Sequence, residues 1–249
     1  MKPVSYLWKG DGRLAVISIL LLYLLGFAAT LASASSFQVD PVSIELIQGR
    51  RSASLSIRNR DTQPVAIRVR LYRWTQVDGA DVHTETDDLI ASPPIFTIPA
   101  GARQLIRIGP RAASTAFAYR IVLEEIPRPH AAGTGIQVAL RVDLPLYVVP
   151  QAAGGPDLAW SAWRGADGLV VIEARNGGTR HSQVLGLATV DAAGRRVILS
   201  SQMGVVLPGG ARRWNAGAHP QFAVGSTLRL EISNAGRRIA RSSVVLEAR

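Results

Sequence analysis

Arginines, carboxylates and histidines are the side chains of this 249-residue chain that could do chemistry, because it contains no cysteine. Thiol nucleophiles, thiolate metal sites and disulfides are thereby excluded. The histidines are His83, His130, His181 and His219, and none pairs with another or with Asp or Glu at a metal-ligand spacing. Each lies in a polar or turn-like context, which predicts surface or loop placement. There is no Gly-x-Ser-x-Gly elbow and no phosphate loop. Asp78, Asp81, Asp87 and Asp88 form a loose acidic stretch without the spacing of an EF-hand, so a solvated loop is expected there. Neither catalysis nor a metal or other cofactor is expected.

What remains is arginine. The formal net charge is +10, of which the first 34 residues carry +2, and every basic residue beyond them is arginine. A guanidinium holds a carboxylate through two parallel hydrogen bonds, so carboxylates and acidic partners suit this composition. Nucleic acid does not: its binders interleave a basic stripe with aromatics. Here the arginines alternate with apolar residues, as in Arg68-Val69-Arg70, the pattern of a solvated strand face.

The elements that must position these groups read as strands. Ile136, Val138, Leu140, Val142, Leu144 and Leu146 alternate with Gln137, Ala139, Arg141, Asp143 and Pro145. This is period-2 patterning over a span about twice the ordinary strand length of five or six residues. Pro145 within it points to a sheet edge, since proline cannot donate to a ladder on both sides. A long apolar edge is an aggregation hazard unless it serves to pair with another chain.

The rest of the chain gives the setting. Lys2, Lys9 and Arg13 precede an apolar run from Leu14 to Ala29, and Ala32-Ser33-Ala34 fits a small-residue cleavage site. At about sixteen residues the run falls short of a spanning helix, so residues 1–34 read as a secretory signal. No membrane association is expected after cleavage. Runs at Val42–Ile47, Ala53–Ile57, Val65–Trp74, Ile95–Ile98, Gln104–Ile108 and Tyr119–Ile126 read as strands between turn signals. Residues 151–157 read as a linker, after which strands restart at Leu169–Ala174, Gln183–Val190, Arg196–Leu199, Leu228–Ile232 and Ile239–Leu246. No repeat between the halves is visible at the residue level. The expected organisation is a domain over 35–150 and a second over 158–249, all-β and sandwich-like.

The order of motifs resembles the periplasmic chaperones of chaperone–usher pilus assembly. Tyr119-Arg120-Ile121-Val122-Leu123-Glu124-Glu125-Ile126-Pro127 looks like that family's tyrosine-to-Glu-Ile-Pro strand. Ile136 to Leu140 looks like its donor strand, closing in Leu146-Tyr147-Val148-Val149-Pro150. Asn59 after Leu55-Ser56-Ile57 matches a strand end. Trp74, Ser92-Pro93-Pro94-Ile95-Phe96 and Arg103 to Arg107 look like the archaic branch.

The resemblance implies two immunoglobulin-like β-sandwich domains in an L. It also implies strand donation to pilin subunits that lack the last strand of their own sandwich, and delivery to an outer-membrane usher. On this resemblance Ile136, Val138, Leu140 and Val142 enter the subunit groove, whereas Leu144 and Leu146 face the chain's own core. A self-capping dimer is possible when the protein is unloaded. The family's basic pair for the subunit's C-terminal carboxylate is absent: Pro145 stands where a donor-strand lysine is expected, and Val42-Ser43-Ile44-Glu45 has no arginine. Arg120, Arg141 and Arg107 are the candidates to replace it. Glu125 matches the glutamate of an interdomain salt bridge, but the arginine expected before Pro150 is Val149. A structural reading competes, in which a two-domain surface protein or adhesin keeps the long strand in its own sheet. A hydrolase on a sandwich scaffold would need clustered His, Ser and Asp.

Overall fold

The computed structural model describes residues 36–111, 117–127, 138–235 and 239–249. The leader expected over 1–34, His130 and the first donor residue Ile136 lie outside them. The described residues other than Val138 form one compact unit, and Val138 is exposed.

The described residues are all-β. Ten strands precede residue 150: β1 (Phe37–Asp40), β2 (Ile44–Ile47), β3 (Ala53–Asn59), β4 (Val65–Val77), β5 (Ala80–Glu85), β6 (Leu89–Ser92), β7 (Ile95–Ile98), β8 (Arg103–Pro110), β9 (Ala118–Ile126) and β10 (Arg141–Val149). They form two sheets, ordered β1-β3-β8-β6 and β2-β10-β9-β4-β5, with β7 also paired to β4. Alternation explains the layering. Leu55 and Ile57 on β3, Ile67 on β4, Ile106 and Ile108 on β8, Ile121 and Leu123 on β9 and Leu146 on β10 are fully buried between the sheets. Each such burial contributes roughly 1.5–3 kcal/mol, which lets a cysteine-free domain hold together.

Eight further strands build a second pair of sheets: β11 (Leu158–Arg164), β12 (Leu169–Asn176), β13 (Ser182–Val190), β14 (Arg196–Ser200), β15 (Gly204–Val206), β16 (Ala211–Ala218), β17 (Thr227–Asn234) and β18 (Ile239–Ala248). One sheet is β11-β12-β16; the other is β14-β13-β17-β18, with β15 on β13. A parallel pairing of β11 with the end of β18 joins them. Ile172, Val184, Trp214, Leu230 and Leu246 are buried inside.

One strand missed by patterning, β5, lacks an apolar face of its own. β5 is Ala-Asp-Val-His-Thr-Glu and largely exposed; it exists because it pairs with β4 through a two-residue turn. Asp78 (φ 51°) and Gly79 (φ 77°) occupy that turn, and Asp-Gly is a pair that tolerates positive φ at both positions. The acidic stretch is correspondingly no solvated loop. Asp81 accepts hydrogen bonds from Trp74 Nε1 (3.0 Å) and Gln76 Nε2 (2.9 Å), and Asp88 forms a forked pair with Arg73 at 2.8–3.0 Å.

The long strand also starts later than the alternation suggests. Residues 138–140 carry no strand assignment and β10 begins at Arg141. Glu125 ends the ladder: its amide donates to Leu140 O (2.9 Å), while Leu140 N donates to the Glu125 side chain (3.0 Å) instead of to a ladder carbonyl.

A correspondence between the halves becomes visible in three dimensions. Asn59 closes β3 fully buried, and its Nδ2 donates to the carbonyls of Gln63 (2.7 Å) and Ile98 (3.0 Å). Asn176 closes β12 in the same manner, with Nδ2 donating to Arg180 O (2.8 Å) and Val206 O (3.1 Å). Each amide ties a strand end to the residue four positions on and to a strand of the facing sheet. Replacing Asn59 with leucine strands buried carbonyls and should lower the unfolding free energy by about 1–3 kcal/mol. A urea titration reads this directly, and an unchanged midpoint would contradict the assigned role.

Candidate functional site: a half-open strand beside a platform-held arginine

β10 has two different halves. Along its inner flank it pairs antiparallel with β9 throughout, from Arg141↔Glu124 to Tyr147↔Ala118. Along its outer flank it pairs in parallel with β2, but only from Leu146↔Ile44 to Val149↔Ile47. Residues 141–145 therefore form a sheet edge. In an antiparallel ladder the backbone groups alternate between flanks. The register puts those of Arg141 and Asp143 on the open side, and Pro145, which has no N–H, stands at the last position before β2 begins. A proline there leaves no donor unsatisfied.

Side chains of β10 split by parity. Leu144 and Leu146 are buried in the first core; Leu140 and Val142 are partly buried against its rim, and Val138 is exposed. Arg141, Asp143, Pro145, Tyr147 and Val149 occupy the other face. There they share the sheet surface with Glu124, Val122, Arg120 and Ala118 of β9 and with Arg70, Tyr72 and Trp74 of β4. Of the three candidate cations, Arg120 and Arg141 lie on this surface. Arg107 is exposed on β8 of the other sheet, so the fold does not bring it to them. Arg141 is well exposed and reaches Glu124 at 3.4 Å. Glu125, expected at an interdomain bridge, has its described bonds within the first sandwich, to Leu140.

Arg120 sits directly opposite Pro145. Its guanidinium lies 3.9 Å from the ring centroid of Trp74, a cation–π contact. One terminal nitrogen is 3.5 Å from Asp143 Oδ1, and the buried Nε has no hydrogen-bond partner among the described residues. The platform is rigid, because Trp74 is 2% exposed and its indole N–H is bound by Asp81. In the sequence Trp74 ends the expected strand Val65–Trp74 and is one of the residues that carry the resemblance. Its parity on β4, opposite to Val69 and Leu71, placed it outside the core, and a buried tryptophan on an outer face needs a cover.

The second sandwich supplies that cover. Trp74, Ala118, Tyr147 and Val149 form one buried cluster with Val205 and Leu207. Gln76 acts as a backbone mimic, donating to Val205 O (2.7 Å) and accepting from Leu207 N (3.0 Å). Arg212 pairs with Asp81, and Arg213 N donates to Gly79 O (2.9 Å). His181 stacks flat on Tyr147, with centroids 3.5 Å apart and planes within 8°. This histidine lies in the loop before β13, as expected of a surface or loop residue, but it is half-buried there. Burial pushes the Tyr147 phenol up to about 12 and pushes the His181 imidazole below its ordinary value. His83, edge-on to Trp74, is also lowered, by burial and then by Arg120. Among the described residues no group of His, Asp and Glu could hold a metal.

Residues 36–154 match the family model described as pili and flagellar-assembly chaperone, PapD N-terminal domain. That stretch carries the N-terminal domain of the PapD-like pilus-assembly chaperones. A search of curated proteins finds no match. Solved structures share the fold of this PapD-like chain along nearly their whole length. One is the complex of the chaperone CsuC with the tip adhesion subunit CsuE, from the archaic Csu pili of Acinetobacter baumannii. Its TM-score is 0.63 at 16% identity, covering 85% of this chain and 99% of that one. Another is the Salmonella enterica SafA pilin in complex with the SafB chaperone (TM-score 0.59, 14% identity, 86% and 98% covered). A third is the class 5 fimbriae chaperone CfaA (TM-score 0.57, 16% identity, 84% and 99% covered).

The stacked histidine makes this PapD-like protein sensitive to acid. His181 binds a proton less readily folded than unfolded. Its contribution is therefore complete above the ordinary histidine value of about 6.5 and is lost as pH falls from there toward the lowered folded value. His181→Phe keeps a flat ring on Tyr147 but removes the proton site. The drop in unfolding free energy between about pH 7.5 and about pH 5 should then be smaller than in the parent. An identical pH dependence would show that this stack carries no proton linkage.

Proposed function

We propose that this protein is a periplasmic chaperone that completes open-cored pilin subunits with the strand leading into β10 and delivers them to an outer-membrane usher. The observation that carries this reading is the half-open flank of β10: an edge that ends in proline where β2 takes over. A subunit strand added at this edge gains main-chain hydrogen bonds from Arg141 and Asp143, while Ile136, Val138, Leu140 and Val142 fill pockets in the subunit's open core. Leu140 and Val142 already rest against the chain's own rim, so an added sandwich would bury them from the second side. Two structural relatives support the reading, as each is a chaperone bound to a pilus subunit.

The proposal extends to the organisation of the chain. Residues 1–34 act as an export signal, 35–150 as the donor domain, 151–157 as a linker and 158–249 as the second domain. The Trp74 and Ser92 to Arg107 features put the chain on the archaic branch. An unloaded molecule can cap its edge with a second copy.

The carboxylate site follows from the same geometry. A strand on the open flank must stop where β2 begins, beside Pro145, and Arg120 stands across from that residue. We assign Arg120 as the main cation for the subunit's terminal carboxylate and Arg141 as a second, with Glu124 restraining Arg141. A guanidinium already held flat suits forked recognition and takes the place of the missing lysine. Val138→Asp tests donation without touching a buried site, since Val138 is 57% exposed. The variant should keep its unfolding midpoint and lose periplasmic co-purification of co-expressed subunits by tenfold or more, about the cost of a desolvated carboxylate. Undiminished co-purification would refute strand donation by this segment and favour a structural surface protein.

A further inference from the structure

We infer that Asp143 is a resident stand-in for the ligand carboxylate, holding the charge of Arg120 while the strand edge is empty and giving way when a carboxylate-ended strand arrives. This rests on the proposed role of Arg120 and adds a regulatory element to it. Three observations lead there. First, Asp143 lies on the open half of β10, on the same face as Arg120 and one alternation from Pro145. Second, the pair is loose. Its 3.5 Å separation exceeds the 2.7–2.9 Å typical of charge-assisted hydrogen bonds, and Asp143 is 40% exposed. Other pairs in the same protein are tighter: Arg73–Asp88 at 2.8 Å and Arg213–Glu173 at 2.6 Å. Third, Asp143 is not what positions Arg120. The Trp74 ring does that, and Trp74 is itself locked by Asp81 and by the covering cluster.

An aspartate that neither orients the guanidinium nor satisfies its Nε neutralises a cation for which the described residues show no other ion pair. It also sets a threshold. A strand ending in an amide, a side chain or continuing backbone cannot replace the aspartate, whereas a terminal carboxylate can do so with better geometry. Because Asp143 lends its backbone to the same open flank, its side chain and an incoming strand meet at one place. Seating the strand and exchanging the carboxylate are then coupled events.

The test uses the full mature protein and a synthetic probe of about seven alternating valine and threonine residues with an N-terminal lysine, long enough for the open edge. The probe is made as the free acid and as the C-terminal amide, and binding is followed by calorimetry. The parent should prefer the acid. Asp143→Asn should tighten the acid about fivefold, the worth of an exposed ion pair, and leave the amide unchanged. Asp143→Ser should do the same, which guards against an idiosyncratic effect of asparagine, and unfolding midpoints verify that both variants fold. Arg120→Gln should weaken the acid, and in Arg120→Gln/Asp143→Asn the gain should vanish. Equal or weaker acid binding by both Asp143 variants, with the parent still preferring the acid, overturns the stand-in and leaves the carboxylate site standing. A parent indifferent to acid and amide removes the carboxylate site and the stand-in with it.

Discussion

The architecture depends on β10 being held on both flanks and both faces over its last residues and on one flank only before them. From Leu146 to Val149 the strand is paired to β9 or held by neighbouring backbone on one side and to β2 on the other. Leu146 is buried in the first core, and Tyr147 and Val149 are buried under Val205 and Leu207. This half cannot slip register, because a one-residue shift would turn every side chain to the wrong face. It therefore fixes the free half, residues 141–145, as a rigid extension rather than a fraying end. Strand donation needs such an edge, since ordering a flexible donor on binding would cost about 1–2 kcal/mol for each residue fixed.

Polar side chains take over jobs that disulfides perform in many exported domains. Asn59 and Asn176 each tie a strand end to a facing strand from a fully desolvated position. Gln76 reads the backbone on both sides of Val206 as a sheet neighbour would. Each of these amides is worth only about 1 kcal/mol net, but each is costly to leave unmatched, so together they enforce one arrangement. The same economy operates around Arg120. Trp74 is at once a cover for the buried cluster and a platform for the cation, so the arginine is oriented by packing.

Much of the fold was legible in the chain. Alternating apolar residues located β3, β4, β7, β9, β12, β13, β17 and β18 to within a few residues, and a sandwich architecture followed from them, its immunoglobulin-like form being what the resemblance implied. Strands with little or interrupted apolar alternation were not legible: β5 is largely exposed, and in β16 two arginines and an asparagine flank Trp214, so both are strands because β4 and β12 pair with them. The candidate site was legible in part. The alternation and Pro145 pointed to an edge, and the resemblance pointed to cations near it. Arg107 was grouped with Arg120 and Arg141 although it belongs to another sheet, because spacing along a chain does not report which sheet a strand joins.

By itself the sequence determined what depends on period and residue type: an all-β chain without thiol chemistry, an apolar strand leading to Pro150 with a proline that marks an edge, and a missing lysine that left arginine as the available cation. Only the tertiary structure decided where that edge opens, because the switch of pairing at Leu146 is set by β2, about a hundred residues earlier in the chain. It also decided which arginine stands beside the opening and what holds it. The platform of Trp74, the loose contact with Asp143 and the stacking of His181 join residues far apart in sequence, and such long-range packing leaves no local pattern to read.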